Sequence, residues 1–88
     1  MKVHLVAICG TGMGALAGLL KEAGHEVQGS DRAFYPPMAE RLQAWGIPTL
    51  RGFDPAHLDP DSDLVIGGNV CRKDNPEAQA ALQRGLPV

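Results

Sequence analysis

Short apolar runs alternate along the chain with segments whose apolar residues recur every three or four positions. The first run, residues 3–8 (Val-His-Leu-Val-Ala-Ile), contains β-branched residues and is nearly all apolar. Such a run is typical of a strand that is covered on both faces of a sheet. Similar runs predict further strands over residues 26–30, 47–51 and 63–67, and the beginning of a fifth strand over residues 86–88.

Three segments between these strands have the apolar spacing of helices, and each is followed by a glycine. The recurring apolar positions are Met13, Leu16, Ala17, Leu20 and Ala23 in the first, Met38, Leu42 and Trp45 in the second, and Ala78, Ala81 and Leu82 in the third. Gly24, Gly46 and Gly85 stand where a left-handed C-terminal cap is expected. The third helix opens on Asn75-Pro76-Glu77, which is typical of an N-cap, a first-turn proline and a first-turn acid.

The order of these elements predicts one Rossmann-like α/β domain. Alternating strands and helices with short connections form a parallel sheet with right-handed crossovers, and helices cover both faces to give three layers. We expect five strands in the order 3-2-1-4-5, with the topological switch between strands 1 and 4. Ligands of such sheets bind at the carboxyl ends of the strands beside the switch. A site is therefore expected at the turns after Ile8, Ser30 and Gly67.

Composition narrows the class of protein further. At 88 residues, with 44% apolar and 20% charged residues, the chain is expected to be one small globular domain. A net charge of −2 argues against non-specific nucleic-acid or membrane-surface binding. The longest apolar run covers only residues 5–9, and the N-terminus lacks the pattern of a signal peptide, so we expect a cytoplasmic protein. Cys9 and Cys71 are expected to be free thiols, because two cysteines make neither a disulfide scaffold nor a zinc site.

The turn after the first strand carries a glycine pattern. Residues 10–15 (Gly-Thr-Gly-Met-Gly-Ala) fit G-x-G-x-x-G/A between a strand and a helix. Glycine allows a sharp turn and close approach of a phosphate, and the free N–H groups of the helix N-terminus attract the anion. Asp31 lies 21 residues after Gly10 at the end of strand 2, where such folds place an acid on a ribose hydroxyl.

The loop and the acid leave two interpretations open. One is a nicotinamide or flavin dinucleotide domain, and the other is a nucleotide-diphosphate-sugar domain, since both place a pyrophosphate at the loop and a ribose at the acid. The pattern G-x-x-x-x-G-K-[ST] is absent from the sequence, so these residues are not expected to bind ATP in the Walker manner.

Three segments combine into a more specific pattern, namely residues 8–17 (Ile-Cys-Gly-Thr-Gly-Met-Gly-Ala-Leu-Ala), Gly29-Ser30-Asp31 and Tyr35-Pro36-Pro37-Met38. Residues 64–69 (Leu-Val-Ile-Gly-Gly-Asn) and Asn75-Pro76 add to it. Together these segments resemble the N-terminal domain of the Mur ligases, and the resemblance extends over essentially all 88 residues.

The resemblance implies that the chain holds the uridine-diphosphate part of UDP-N-acetylmuramic acid and does not itself catalyse. ATP, Mg²⁺ and the catalytic groups would belong to a central domain, and a C-terminal domain would receive the amino substrate; we expect both to lie outside these 88 residues. The full ligase would phosphorylate the muramic carboxylate with ATP. The substrate amine would then attack the acyl phosphate to give an amide, ADP and phosphate. Such a ligase would recycle cell-wall peptides in a Gram-negative bacterium.

One departure from the family bears on the amino substrate. The resemblance implies a more glycine-rich loop, of the type G-x-G-G-x-G-M-S-G, in members that add L-alanine. In this sequence Ala7 and Cys9 occupy two of those glycine places. This favours the members that attach the tripeptide L-Ala-γ-D-Glu-meso-diaminopimelate. The L-alanine ligases, the NAD-binding domain of an oxidoreductase and a regulatory nucleotide-sensing domain remain alternatives.

The candidate site contains no expected catalytic or metal-binding residue. The candidate UDP-binding residues are Gly10, Thr11, Gly12, Met13, Gly14, Ser30, Asp31, Tyr35, Gly68 and Asn69. We expect Met13 to offer its backbone N–H while its side chain supports the core. Tyr35 could lay its ring against the uracil, and the Asn69 amide could pair with uracil or ribose. His4, within the first strand, is expected to be a buried or rim histidine.

Overall fold

The chain forms an α/β structure whose elements follow the predicted order. The computed structural model describes residues 1–67 and 75–85. The elements are β1 (Lys2–Val6), α1 (Thr11–Glu22), β2 (Glu26–Asp31), α2 (Met38–Ala44), β3 (Thr49–Arg51), a 3₁₀ helix (Pro55–His57), β4 (Leu64–Gly67) and α3 (Pro76–Gln83). Within these ranges, every helix is too short or too polar to traverse a lipid bilayer.

The four described strands form one parallel sheet in the order β3-β2-β1-β4. Val3 of β1 lies opposite Val27 of β2 on one side and Leu64 of β4 on the other. The parallel sheet and the predicted order of these four strands are confirmed. The predicted fifth strand falls on residues 86–88, which lie outside the described residues.

One face of the sheet is covered by α1 and α2. Val3 and Leu5 point to this face because side chains alternate along a strand. They belong to a buried cluster that includes residues of both helices. Its members are Val3, Leu5, Ile8, Cys9, Ala17, Val27, Met38, Leu42 and Ile47. Met13 packs against this cluster from the first turn of α1, as predicted for its side chain.

The opposite face is covered by α3 and the chain around the 3₁₀ helix. Val6 and Val65 form a smaller apolar cluster there with Leu58 and Ala81. His4 also points to this face and is fully buried, which confirms one of the two environments expected for it. Helices therefore cover both faces of the sheet, as the alternation of elements predicts.

The predicted helix ends are confirmed. Gly24, Gly46 and Gly85 have φ angles of 96°, 71° and 71°, in the left-handed region that glycine enters without steric cost. The side-chain oxygen of Asn75 accepts hydrogen bonds from the backbone N–H groups of Glu77 at 2.9 Å and Ala78 at 3.2 Å. β1 ends two residues earlier than predicted, because the chain turns at Ala7.

Candidate ligand-binding site

The turn between β1 and α1 is built around Ala7. This residue has φ of 66°, and its carbonyl accepts a hydrogen bond from the Gly10 N–H at 3.2 Å. Gly10 is extended and precedes the helix, and its carbonyl accepts the first helical hydrogen bond, from the Gly14 N–H at 2.7 Å. A non-glycine residue at positive φ is strained, and such residues are concentrated at ligand-binding turns.

This geometry predicts an asymmetric response to substitution at Ala7. Ala7→Val should lower the free energy of unfolding by about 2 kcal/mol, since a β-branched residue is disfavoured at this φ. Ala7→Gly should change it by less than about 1 kcal/mol, because relief of strain is offset by the entropy of glycine in the unfolded chain. Urea unfolding measures both values.

Ala44→Val is the matched control, because Ala44 is exposed in α2, where valine should cost only about 0.5 kcal/mol. Equal losses from the two valine substitutions would contradict the turn geometry described for Ala7.

The N-terminus of α1 is open to an anion. Its cap residue is Gly10, which offers no side-chain acceptor, and the first turn contains no acidic residue. Among the residues that the structure describes, none accepts a hydrogen bond from the backbone N–H of Gly12 or Met13. Unpaired N–H groups and the positive end of the helix dipole therefore face the same space, which favours a negatively charged ligand.

The glycines of the loop serve different purposes. A Cβ placed on Gly12 would have no atom within 4 Å, so the space beside this residue is open. A Cβ on Gly14 would overlap the Met38 side chain, which lies directly against the helix. Gly12 thus leaves room for a ligand, whereas the space beside Gly14 is filled by the flexible Met38 side chain, which would have to move to admit a Cβ.

Asp31 ties the end of β2 to the turn after β1. Its carboxylate accepts hydrogen bonds from the backbone N–H of Cys9 at 3.0 Å and of Arg32 at 2.7 Å. Because each carboxylate oxygen can accept a further hydrogen bond, the group can hold the turn and still receive a ligand hydroxyl. The structure brings this acid to the glycine loop, as the sequence predicts.

Ser30 is placed differently from the other candidates. Its side chain is fully buried, and its hydroxyl lies 3.4 Å from His4 Nε2 and 3.4 Å from His57 Nδ1. The structure does not bring that hydroxyl to the glycine loop. Only the Ser30 carbonyl reaches the turn, where it accepts from the Ile8 N–H at 3.0 Å.

Tyr35 lies next to the loop through its backbone. Its carbonyl accepts a hydrogen bond from the Cys9 thiol at 3.7 Å, while 58% of the residue surface is exposed. Cys9 itself is buried and free, as expected. With Met38 packed against Gly14, the Tyr35–Met38 segment is held to the loop at both ends. The residue that carries this exposed ring is thereby held beside the turn that precedes α1.

The predicted residues Gly68 and Asn69 lie outside the described residues, as does Cys71. Elsewhere in residues 1–67 and 75–85, no group of three His, Cys, Asp or Glu side chains could hold a metal ion.

Sequence reasoning missed a buried polar cluster beneath α3. Glu77, predicted only as a first-turn acid, is fully buried, and its carboxylate oxygens lie 2.6 Å from His4 Nε2 and 2.9 Å from His57 Nδ1. The available signal was His4 itself, because a polar side chain within a nearly all-apolar strand needs a buried partner.

The same fold and sequence pattern occur in known proteins. Residues 2–88 match the family described as "Mur ligase family, catalytic domain". The chain is 46% identical over 87 residues to UDP-N-acetylmuramate–L-alanyl-γ-D-glutamyl-meso-2,6-diaminoheptandioate ligase of Escherichia coli (strain K12), covering 99% of this chain and 19% of that protein. It is 43% identical over 89 residues to UDP-N-acetylmuramate–L-alanine ligase of Kineococcus radiotolerans, covering 99% of this chain and 19% of that protein.

A solved structure is similar as well. The crystal structure of a murein peptide ligase from Psychrobacter arcticus matches with a TM-score of 0.92 and 41% identity, over 99% of this chain and 18% of that chain. The present sequence thus spans about a fifth of the length of these relatives. The chain belongs to the Mur ligase family and corresponds to its N-terminal domain.

Proposed function

We propose that residues 1–88 are the UDP-N-acetylmuramate-binding domain of an ATP-dependent amide ligase. The observation that carries the proposal is the open N-terminus of α1, with unpaired N–H groups and free space beside Gly12, next to the anchored carboxylate of Asp31. A diphosphate and the ribose attached to it need this combination of donors and acceptor. UDP-N-acetylmuramate appears in the names of both classes of relative.

Each part of the ligand has a proposed partner. The diphosphate oxygens accept from the backbone N–H groups of Thr11, Gly12 and Met13, where the dipole of α1 adds to the attraction. A ribose hydroxyl donates to Asp31, which keeps its bond to the Cys9 N–H. The exposed ring of Tyr35 covers the uracil. Gly10 and Gly14 shape the loop, and the backbone of Ser30 fixes its start.

Gly68 and Asn69, which follow β4, remain proposed contacts to the nucleoside. β4 adjoins β1, so its carboxyl end faces the same sheet edge as the glycine loop.

The rest of the ligase is proposed to hold ATP, Mg²⁺ and the groups that form the amide. The 88 residues contain no P-loop pattern, and the part that the structure describes has no cluster suited to a metal ion. These residues therefore do not fit an ATP–Mg²⁺ site, and their proposed part is to bind and orient the nucleotide sugar. The ligase as a whole is proposed to be a cytoplasmic enzyme.

We further propose that the amino substrate is the tripeptide L-Ala-γ-D-Glu-meso-diaminopimelate, as in recycling of cell-wall peptides. Ala7 and Cys9 support this choice, since they stand where the resemblance places two glycines in the L-alanine-adding members. Identities of 46% to a tripeptide ligase and 43% to an L-alanine ligase leave both classes as relatives.

Titration of the chain by ¹H–¹⁵N NMR tests nucleotide-sugar binding. UDP-N-acetylmuramic acid is expected to shift the amide signals of the glycine loop, Asp31 and Tyr35, and UDP alone should shift the loop signals as well. NAD at the same concentration is the control for a dinucleotide domain and should shift none of them. Shifts with NAD and none with either uridine nucleotide would overturn the proposal in favour of an oxidoreductase domain.

A further inference from the structure

The buried polar cluster joins four elements on the face of the sheet under α3. Glu77 of α3 contacts His4 of β1 and His57 of the 3₁₀ helix through separate carboxylate oxygens, at 2.6 Å and 2.9 Å. The second oxygen also accepts from the backbone N–H of Asp54 at 3.2 Å. Gln28 and Ser30 of β2 also belong to the cluster, because both side chains contact the His4 ring.

Gln28 determines which nitrogen of His4 carries a proton. Its amide nitrogen donates to the His57 backbone carbonyl at 3.0 Å, and a carbonyl can only accept. The same nitrogen lies 2.9 Å from His4 Nδ1, which must therefore accept and carries no proton. His4 is then a neutral imidazole with its proton on Nε2, directed at Glu77. A second proton on His4 would require Gln28 to turn over and leave the His57 carbonyl.

Glu77 is ionised in this arrangement. Burial alone would raise the pKa of its carboxyl group, but hydrogen bonds from His4, Ser30 and His57 outweigh burial and hold that pKa below its ordinary value. The titratable side chains that face the carboxylate are His4 from β1 and His57 from the 3₁₀ helix, within the described part of the chain. Asp54 contributes only its backbone, since its own carboxylate accepts from the Ala56 N–H at 2.8 Å.

We propose that Glu77 is a buried anionic positioning residue that accepts from the Nε2–H of His4 and fastens α3 and the 3₁₀ helix to β1 and β2. The two strands it holds are those that lead to the glycine loop and to Asp31. We call the hydrogen bonds from His4, His57 and the Asp54 N–H to this carboxylate the Glu77 clamp. Protonation of Glu77 removes its charge and turns one of its two acceptor oxygens into a donor, so the clamp weakens in acid. Its effect on ligand affinity rests on the proposed function, whereas its effect on the histidine rings and on acid stability does not.

The ring nitrogens of the unmutated chain test the assignment directly. A long-range ¹H–¹⁵N correlation spectrum at pH 7 is expected to show His4 as a neutral ring protonated at Nε2. The ring of His25, which is not a member of the cluster, is the internal reference in the same spectrum. A His4 ring protonated at Nδ1, or doubly protonated at pH 7, would overturn the assignment.

Glu77→Gln tests the charge, and Glu40→Gln is the matched control because Glu40 is exposed in α2. A group whose pKa is lowered by folding contributes stability above its unfolded pKa and loses it as pH falls through the folded value. The urea midpoint of the unmutated chain and of E40Q should therefore fall steeply as pH drops below the ordinary carboxyl pKa of about 4.3. E77Q should have a lower urea midpoint at pH 7, and that midpoint should fall less than that of E40Q in acid.

If E77Q does not fold at pH 7, Glu77→Asp, which keeps the charge, is expected to restore folding. An acid profile of E77Q parallel to that of E40Q would overturn the proposal, and so would E77D failing to fold alongside E77Q.

A binding measurement tests whether the Glu77 clamp affects the ligand site. The probe is UDP-N-acetylmuramic acid at pH 7, and the variant is E77Q, or E77D if E77Q does not fold. It is expected to bind at least about threefold more weakly than E40Q. Affinity equal to that of E40Q would overturn the link between Glu77 and the site. If the unmutated chain bound no uridine nucleotide, the proposed function would fail. The His4 ring spectrum and the acid profiles would still test the Glu77 clamp, because neither depends on a ligand.

Discussion

Gly12→Val is expected to abolish nucleotide-sugar binding while leaving the chain folded. An added Cβ at this position meets no atom within 4 Å, and the backbone does not require positive φ there. Valine is also a better helix former than glycine, so folding should change by less than about 1 kcal/mol. The branched side chain would instead fill the open space in which the diphosphate is proposed to sit.

The expected loss of affinity follows from the hydrogen bonds displaced. Backbone N–H bonds to a charged phosphate contribute about 1.5–3 kcal/mol each, and loss of two of them weakens binding by about 10²-fold or more. Circular dichroism establishes that the variant is folded, and titration with UDP-N-acetylmuramic acid measures its affinity. Ala44→Val, at an exposed position of α2, adds the two branched methyl groups of valine away from the site and should bind normally. Unchanged affinity of Gly12→Val would mean that the phosphates do not lie on this loop.

Local chemistry made much of the fold predictable. Gly24, Gly46 and Gly85 end their helices at positive φ, a conformation that glycine favours over all other residues, so the helix ends could be placed. The order of the four described strands follows from the handedness of the crossovers, which depends on chain sterics and not on particular side chains. Asp31 could be placed at the loop because β1 and β2 are parallel neighbours whose ends meet at one edge.

Contacts between distant residues were beyond the reach of pattern reasoning. Gly12 and Gly14 belong to one motif, yet only the position of Met38 distinguishes the open glycine from the packed one. Glu77 and His4 are 73 positions apart, and nothing local marks a first-turn acid as buried. Ser30 precedes Asp31 at the ligand edge of the sheet. Because side chains alternate along a strand, its hydroxyl points to the face under α3, where it lies near His4 and His57.

Gly29→Ala is expected to destabilise the chain strongly, in contrast to Gly12→Ala. A Cβ at Gly29 would lie 2.5 Å from Ile8 Cδ1 and 2.7 Å from the Leu5 carbonyl oxygen, both far inside normal contact. Neither neighbour can yield easily, because the Ile8 side chain is fully buried and the Leu5 carbonyl belongs to the backbone of β1. Close packing leaves no free volume into which such a clash could relax.

The expected cost of Gly29→Ala is about 2–3 kcal/mol, typical of overpacking in a core, which in a domain of this size lowers the melting temperature by roughly 10–20 °C. Thermal unfolding of Gly29→Ala beside Gly12→Ala measures the difference, and Gly12→Ala should melt within about 4 °C of the unmutated chain. β2 would have to move away from Ile8 to accept the methyl group, and Asp31, two residues further on, would move with it. Weakened ligand binding is therefore expected in whatever fraction stays folded. Equal melting temperatures for the two variants would mean that Ile8 does not pack on β2 as closely as described, and the anchoring of Asp31 to the glycine loop would lose its support.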